Sequence, residues 1–168
     1  MKSSSTVVLM IVGAMQIGCA KKAEAPWDAM GPAVLTVTAD GVQIYRCVVG
    51  KDGHPAWEFK APQADLFDDK HQGVGTHSKG DTGPQWDIGG DTIVGTKVHE
   101  RAAGRMDAIP ELQLSGKCTG NRATFDKVVA IERLDTEGGV APSADGHKVG
   151  DEVRVPYKAR YVFHSSKS

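Results

Sequence analysis

The sequence is poor in the features that mark most functional classes. Aromatic residues are 6% of the chain, cysteine occurs three times, and no run of Lys or Arg exceeds two. Nucleic-acid binding needs a clustered basic face, so no nucleic-acid partner is expected. No Gly-x-Gly-x-x-Gly follows a strand and opens a helix to seat a pyrophosphate, so no dinucleotide cofactor is expected. No Gly-x-Ser-x-Gly presents a nucleophile, and Ser78 and Ser143 sit in loop-like sequence with no motif around them. His54, His71, His77, His99, His147 and His164 show no His-x-His or His-x-x-x-His spacing. His71 and His77 in one extended strand would lie roughly 20 Å apart, while two ligands of one zinc must each reach it at about 2 Å. No metal site is expected unless the chain folds back at Gly73 or Gly75. The scattered Asp and Glu residues neither support nor exclude a paired-carboxylate glycosidase.

Long apolar runs are also missing. The longest, Val7–Met15, is about half of the roughly 20 residues a bilayer-spanning helix needs. Preceded by Lys2, it reads as the h-region of a cleaved signal. Ile17-Gly18-Cys19-Ala20 then fits the end of a lipobox, with Cys19 as the lipidation site, although Gln16 stands where an aliphatic residue is usual. Acylation of Cys19 would hold the chain at a membrane surface, and Ala20 after it suits the outer membrane. The alternative is an ordinary secretory cut after Ala20 that discards Cys19. Residues 1–19 are thus a signal segment, 20–32 a tether and 33–168 a single domain. Either cut places the domain outside the cytoplasm, anchored and facing the periplasm or surface, or else periplasmic or secreted.

The 168 residues carry 20 Lys and Arg against 21 Asp and Glu. One domain with a proper core follows from that length. Twenty Gly and eight Pro punctuate the chain densely, which suits strands better than long helices. Period-two alternation marks half-buried strands. Val42, Ile44 and Val48 share a face, as do Leu112 and Leu114, and Phe125, Val129 and Ile131. The last is clearest: Tyr157, Ala159, Tyr161 and Phe163 on one side, Lys158, Arg160 and His164 on the other. Ala33–Thr38, Ala56–Lys60, Val74–His77, Gln85–Ile88 and Thr92–Glu100 are further candidates. Ala39-Asp40-Gly41, Lys51-Asp52-Gly53, Gly89-Gly90-Asp91 and Glu137-Gly138-Gly139 read as turns between them. The pattern predicts an all-β domain, an antiparallel sandwich or barrel of many short strands. Cys47 and Cys118, an even pair in an oxidising compartment, are a disulfide candidate. A bridge would close a loop of about seventy residues, worth roughly 4 kcal/mol in a chain-entropy model.

Several segments in order carry a resemblance: Asp40–Cys47, Trp57–Asp68, Val74–His77, Gly83–Trp86, Thr136–Pro142 and Val153–Tyr157. Together they resemble the secreted bacterial and fungal family catalogued as domain of unknown function 3455, from about Leu35 to Phe163. The resemblance implies secretion and no particular activity. Some fungal members carry a malate dehydrogenase label, which the missing dinucleotide motif does not support. Three departures stand out. Gly80-Asp81-Thr82 is inserted into the family's Gly-Thr-His-x-x-Gly-Pro-x-Trp run. The aliphatic run after Pro110 is broken by Glu111 and Gln113. The cysteine that often follows Gly-Gly-Val-Ala-Pro is absent from Ser143-Ala144-Asp145-Gly146, so Cys118 would substitute in any bridge to Cys47.

The chemistry-bearing candidates gather around one loop. His77 is followed by Asp81, Trp86 and Asp87, and a His beside a carboxylate can do acid–base work. It can equally close a structural corner with Trp86. Trp57 shares a face with Phe59 and is expected in the core, leaving Trp86 as the open aromatic for a binding platform. Two functions fit. One is an exported, lipid-anchored envelope module binding an unidentified ligand or partner through His77 and Trp86. The other is a secreted enzyme of hydrolytic or isomerising type using His77 with Asp81 or Asp87.

Overall fold

A computed structural model describes residues 30–119 and 125–166. Gln16, Cys19 and nearly all of the tether lie outside these residues. Eight strands follow in order: β1 Ala33–Val49, β2 Pro55–Phe67, β3 Gly73–Lys79, β4 Pro84–Ile88, β5 Asp91–Arg101, β6 Glu111–Cys118, β7 Val128–Gly138 and β8 Glu152–Ser165. Each pairs antiparallel with the next, and β1 pairs with β8, giving a closed up-and-down barrel. The expected all-β antiparallel fold is therefore present in its barrel form. Closure removes the free edges a sandwich would keep.

The strand predicted most clearly behaves as its alternation requires. Tyr157, Ala159, Tyr161 and Phe163 are buried inside. Lys158 and Arg160 pair outside with Asp40 and Asp135. His164 also faces out, yet is buried, its Nε2 at 2.8 Å from a Glu132 oxygen and its Nδ1 at 2.8 Å from the Gly31 carbonyl. Charged pairs, Lys60–Glu152 among them, cover the outer wall, while the interior holds Leu66, Trp86, Ile93, Ile131 and Phe163. A transmembrane barrel shows the reverse, with an apolar band facing out.

Two expectations along β1 change. Ala39-Asp40-Gly41, read as a turn, lies within one 17-residue strand. A Cβ on Gly41 would sit 2.2 Å from the Gln63 carbonyl oxygen, so glycine here lets β1 press against β2. The phase is also inverted. Val37 and Ala39 point into the core, so Gln43 and Tyr45 face inward with them, and Val42, Ile44 and Val48 take the opposite, outer phase, where Ile44 is nonetheless buried. On β2, Lys60 is the extra residue of a bulge between the Tyr45–Phe59 and Ile44–Ala61 pairs.

The proposed disulfide is not formed: Cys47 and Cys118 are both free. Cys47 lies near the C-terminal end of β1, while Cys118 ends the oppositely directed β6. They therefore sit at opposite ends of the barrel, on strands that are not neighbours.

Candidate functional site

The β3–β4 hairpin builds the centre of the site. His77 pairs directly with Trp86, so both side chains take the inner face of the barrel. Their rings stack with centroids 4.5 Å apart and 11° between planes. Tyr161 of β8 packs against both, at 5.0 Å and 5.2 Å, and Phe163 meets Trp86 edge-on at 5.9 Å. Gly95 makes room for the indole, since a Cβ there would lie 2.9 Å from its Cζ3. Trp86 is 1% exposed and His77 3%.

His77 Nδ1 lies 2.9 Å from the Gln85 carbonyl. A carbonyl only accepts, so Nδ1 carries the hydrogen and Nε2 is left as an acceptor. Burial is the main reason the imidazole pKa falls to about 3; the Gln85 bond opposes the shift and the Arg133 charge adds to it. His77 is therefore neutral at ordinary pH.

The carboxylates considered as its partners are elsewhere. Asp87 lies one residue beyond Trp86 and so on the outer face, where it accepts from Gln85 Nε2 at 2.8 Å and Thr92 Oγ1 at 2.6 Å. Asp81 is exposed in the loop beyond β3. The sequence-predicted residues His77 and Trp86 are thus brought together, and Asp81 and Asp87 are not brought to them. Trp57, expected in the core, is half-buried at the rim, its Nε1 reaching the Ser143 carbonyl at 3.3 Å and its ring 4.8 Å from His147. Trp86, the aromatic left open, is the core one. Among the described residues no three His, Cys, Asp or Glu side chains converge as a metal would require.

Above the stack, a cavity of about 490 Å³ opens at the end of the barrel where β1, β3, β5 and β7 finish. Its size is typical of small-molecule sites. His77 forms part of its lining, with Phe59, Pro62, Ile109, Leu112 and Leu114 supplying apolar wall. Tyr45 meets Phe59 edge-on at 5.7 Å and donates its hydroxyl to the Gly139 carbonyl at 2.6 Å. The inserted Gly80–Thr82 loop is at this mouth, closed by the Gly80 amide on the Gly83 carbonyl at 2.8 Å; its flanks Lys79, Gly83 and Pro84 line the cavity.

Sequence reasoning missed the charged member. Arg133 pairs with Leu112 on one side and Tyr161 on the other, both inward residues, so its side chain enters the cavity. Nε and one terminal nitrogen donate to the Pro110 carbonyl at 3.1 and 2.8 Å. Its field reaches the whole site. Burial raises the Tyr45, Tyr157 and Tyr161 phenols, and Arg133 opposes the rise in each. Lys97 and Glu100 complete the rim as an exposed ion pair at 2.7 Å.

The family model for the protein of unknown function DUF3455 matches residues 28–165. The chain belongs to this family. No curated protein and no solved structure matches it. The match takes in all eight strands of the barrel, so in this DUF3455 chain the cavity, the His77–Trp86 stack and Arg133 all fall inside the family's domain.

Proposed function

We propose that this protein is an exported binding module that holds a small, largely apolar molecule in the mouth of its barrel. One observation carries the reading: a 490 Å³ cavity, walled by Phe59, Ile109, Leu112 and Leu114 and backed by a packed aromatic stack, opens at one end of a closed barrel. A rigid wall limits the ordering cost of binding, and an apolar lining rewards burial of ligand surface. The exported setting, with Cys19 as a lipid attachment point, is supported by the sequence of residues 1–20 and by the resemblance to a secreted family. The enzymatic alternative draws no support from this geometry, because His77 has a backbone carbonyl, not a carboxylate, as its partner.

The uncharged dye N-phenyl-1-naphthylamine tests the cavity. Its fluorescence should rise on adding the protein. The rise should disappear in Leu112→Trp, which puts an indole into the cavity space, provided circular dichroism shows the barrel intact. No rise with the wild-type chain, or an equal rise with a folded Leu112→Trp, would sink the reading.

A further inference from the structure

Resting on that reading of the barrel mouth, we propose that its ligand is amphipathic and anionic: an apolar body against the Phe59–Leu112 wall and a carboxylate head group against Arg133. Arg133 lacks a counter-ion of its own. It is half-buried as a residue, its guanidinium gives two nitrogens to the neutral Pro110 carbonyl, and no carboxylate pairs with it among the described residues. A charge withdrawn from water calls for a counter-ion. Among the described residues the one acid in the cavity lining is Glu100, which feels the Arg133 charge but is paired with Lys97, and Lys79 adds a further positive charge at the rim.

A second observation is independent of charge. Gln43 lines the cavity, is 2% exposed, and its Nε2 has no hydrogen-bond partner. Trp86 Nε1 and the Tyr157 and Tyr161 hydroxyls, in the core and not in the cavity lining, are buried without partners as well. Tyr161 and Gln43 lie close enough to the Tyr157 phenol to perturb it, as Tyr157 and Arg133 do the Tyr161 phenol, but these contacts fall short of hydrogen-bond geometry. All four groups can donate. Native proteins rarely leave buried donors unmatched. In the lining itself, the unmatched Gln43 amide and a guanidinium with no carboxylate partner are complementary to a group made only of acceptors, which a carboxylate is and an alcohol or amine is not.

Calorimetric titration of the protein with decanoate, 1-decanol and decylamine at low salt reads the head group directly. Decanoate should bind at least about tenfold more tightly than decanol, a difference of about 1.4 kcal/mol, and decylamine more weakly than either. In Arg133→Gln the decanoate preference should vanish while decanol binding stays. Should that variant fail to fold, the exposed double variant Lys79→Gln/Lys97→Gln must reduce the preference, and more so at low salt than at high. Equal binding of decanoate and decanol by the wild-type protein overturns the anionic head group and leaves the apolar cavity standing. So does a preference that survives in a folded Arg133→Gln chain. Failure of all three to bind overturns the cavity reading and this inference with it.

Discussion

Lowering the pH should destabilise this barrel through His77 in a way a single substitution removes. In the folded chain the imidazole is held at a pKa of about 3, against an ordinary 6.5 in the unfolded chain, mainly because burial penalises the charged form, with the Arg133 charge adding to the shift. Between those two values the unfolded chain binds a proton that the folded chain refuses. The native state is therefore at full strength above pH 6.5 and weakens as pH falls toward 3. Each pH unit within that window costs about 1.4 kcal/mol, so acidification from about pH 7.5 to about pH 5 costs about 2 kcal/mol from this residue. With a urea dependence of about 2 kcal/mol per molar, the unfolding midpoint should move down by about 1 M. Urea titrations followed by tryptophan fluorescence measure it. His77→Gln loses the stack on Trp86 and starts less stable at every pH, but its midpoint should fall less over the same interval, by about that 1 M. The remaining histidines are common to both chains and cancel in the comparison. Parallel pH profiles for wild type and His77→Gln would refute the argument, because they would mean that His77 takes up its proton as readily folded as unfolded.

Other perturbations follow from the same contacts. Gly95→Ala drives a methyl group into the Trp86 ring and the Leu114 side chain, at 2.9 and 3.1 Å, and should cost about 1–3 kcal/mol in chemical denaturation. His164→Ala strands Glu132 on the outer wall and frees the Gly31 carbonyl, so a loss of about 1–3 kcal/mol is expected, measured the same way. Because Cys47 and Cys118 are free thiols at opposite ends of the barrel, a reductant should leave the thermal midpoint unchanged; a fall of several degrees would show a bridge. Intact-mass analysis of membrane-extracted protein should find a mature chain beginning at an acylated Cys19, and a chain starting at Lys21 without acyl mass would rule the anchor out.

How far the sequence reaches is decided by what alternation can and cannot say. Period two states that neighbouring residues face opposite ways, and a single strand does not state which way is in. On β8 the answer is plain, because one face holds Tyr157, Ala159, Tyr161 and Phe163 and the other Lys158 and Arg160. On β1 the apolar rule chooses Val42, Ile44 and Val48, and the barrel chooses Gln43 and Tyr45. Register resolves the conflict: Gly41 lies opposite Tyr157 and Gln43 opposite Val155, and Tyr157 is inward, so Gln43 is inward too. The same reasoning places Arg133 inside, two residues from fully buried Ile131 and opposite Tyr161. Disulfide pairing failed at the same point, since strand order and direction, not spacing, separate Cys47 from Cys118. The residues misread by alternation are therefore informative. A barrel that only needed a core would fill its inner face with apolar side chains, as the Leu114–Ile131–Phe163 row does. Gln43 and Arg133 occupy inward positions at a cost in desolvation that packing alone does not explain. Polar residues found in the inward phase of a closed barrel, next to a cavity, are the positions that the proposed recognition of an anionic ligand would use.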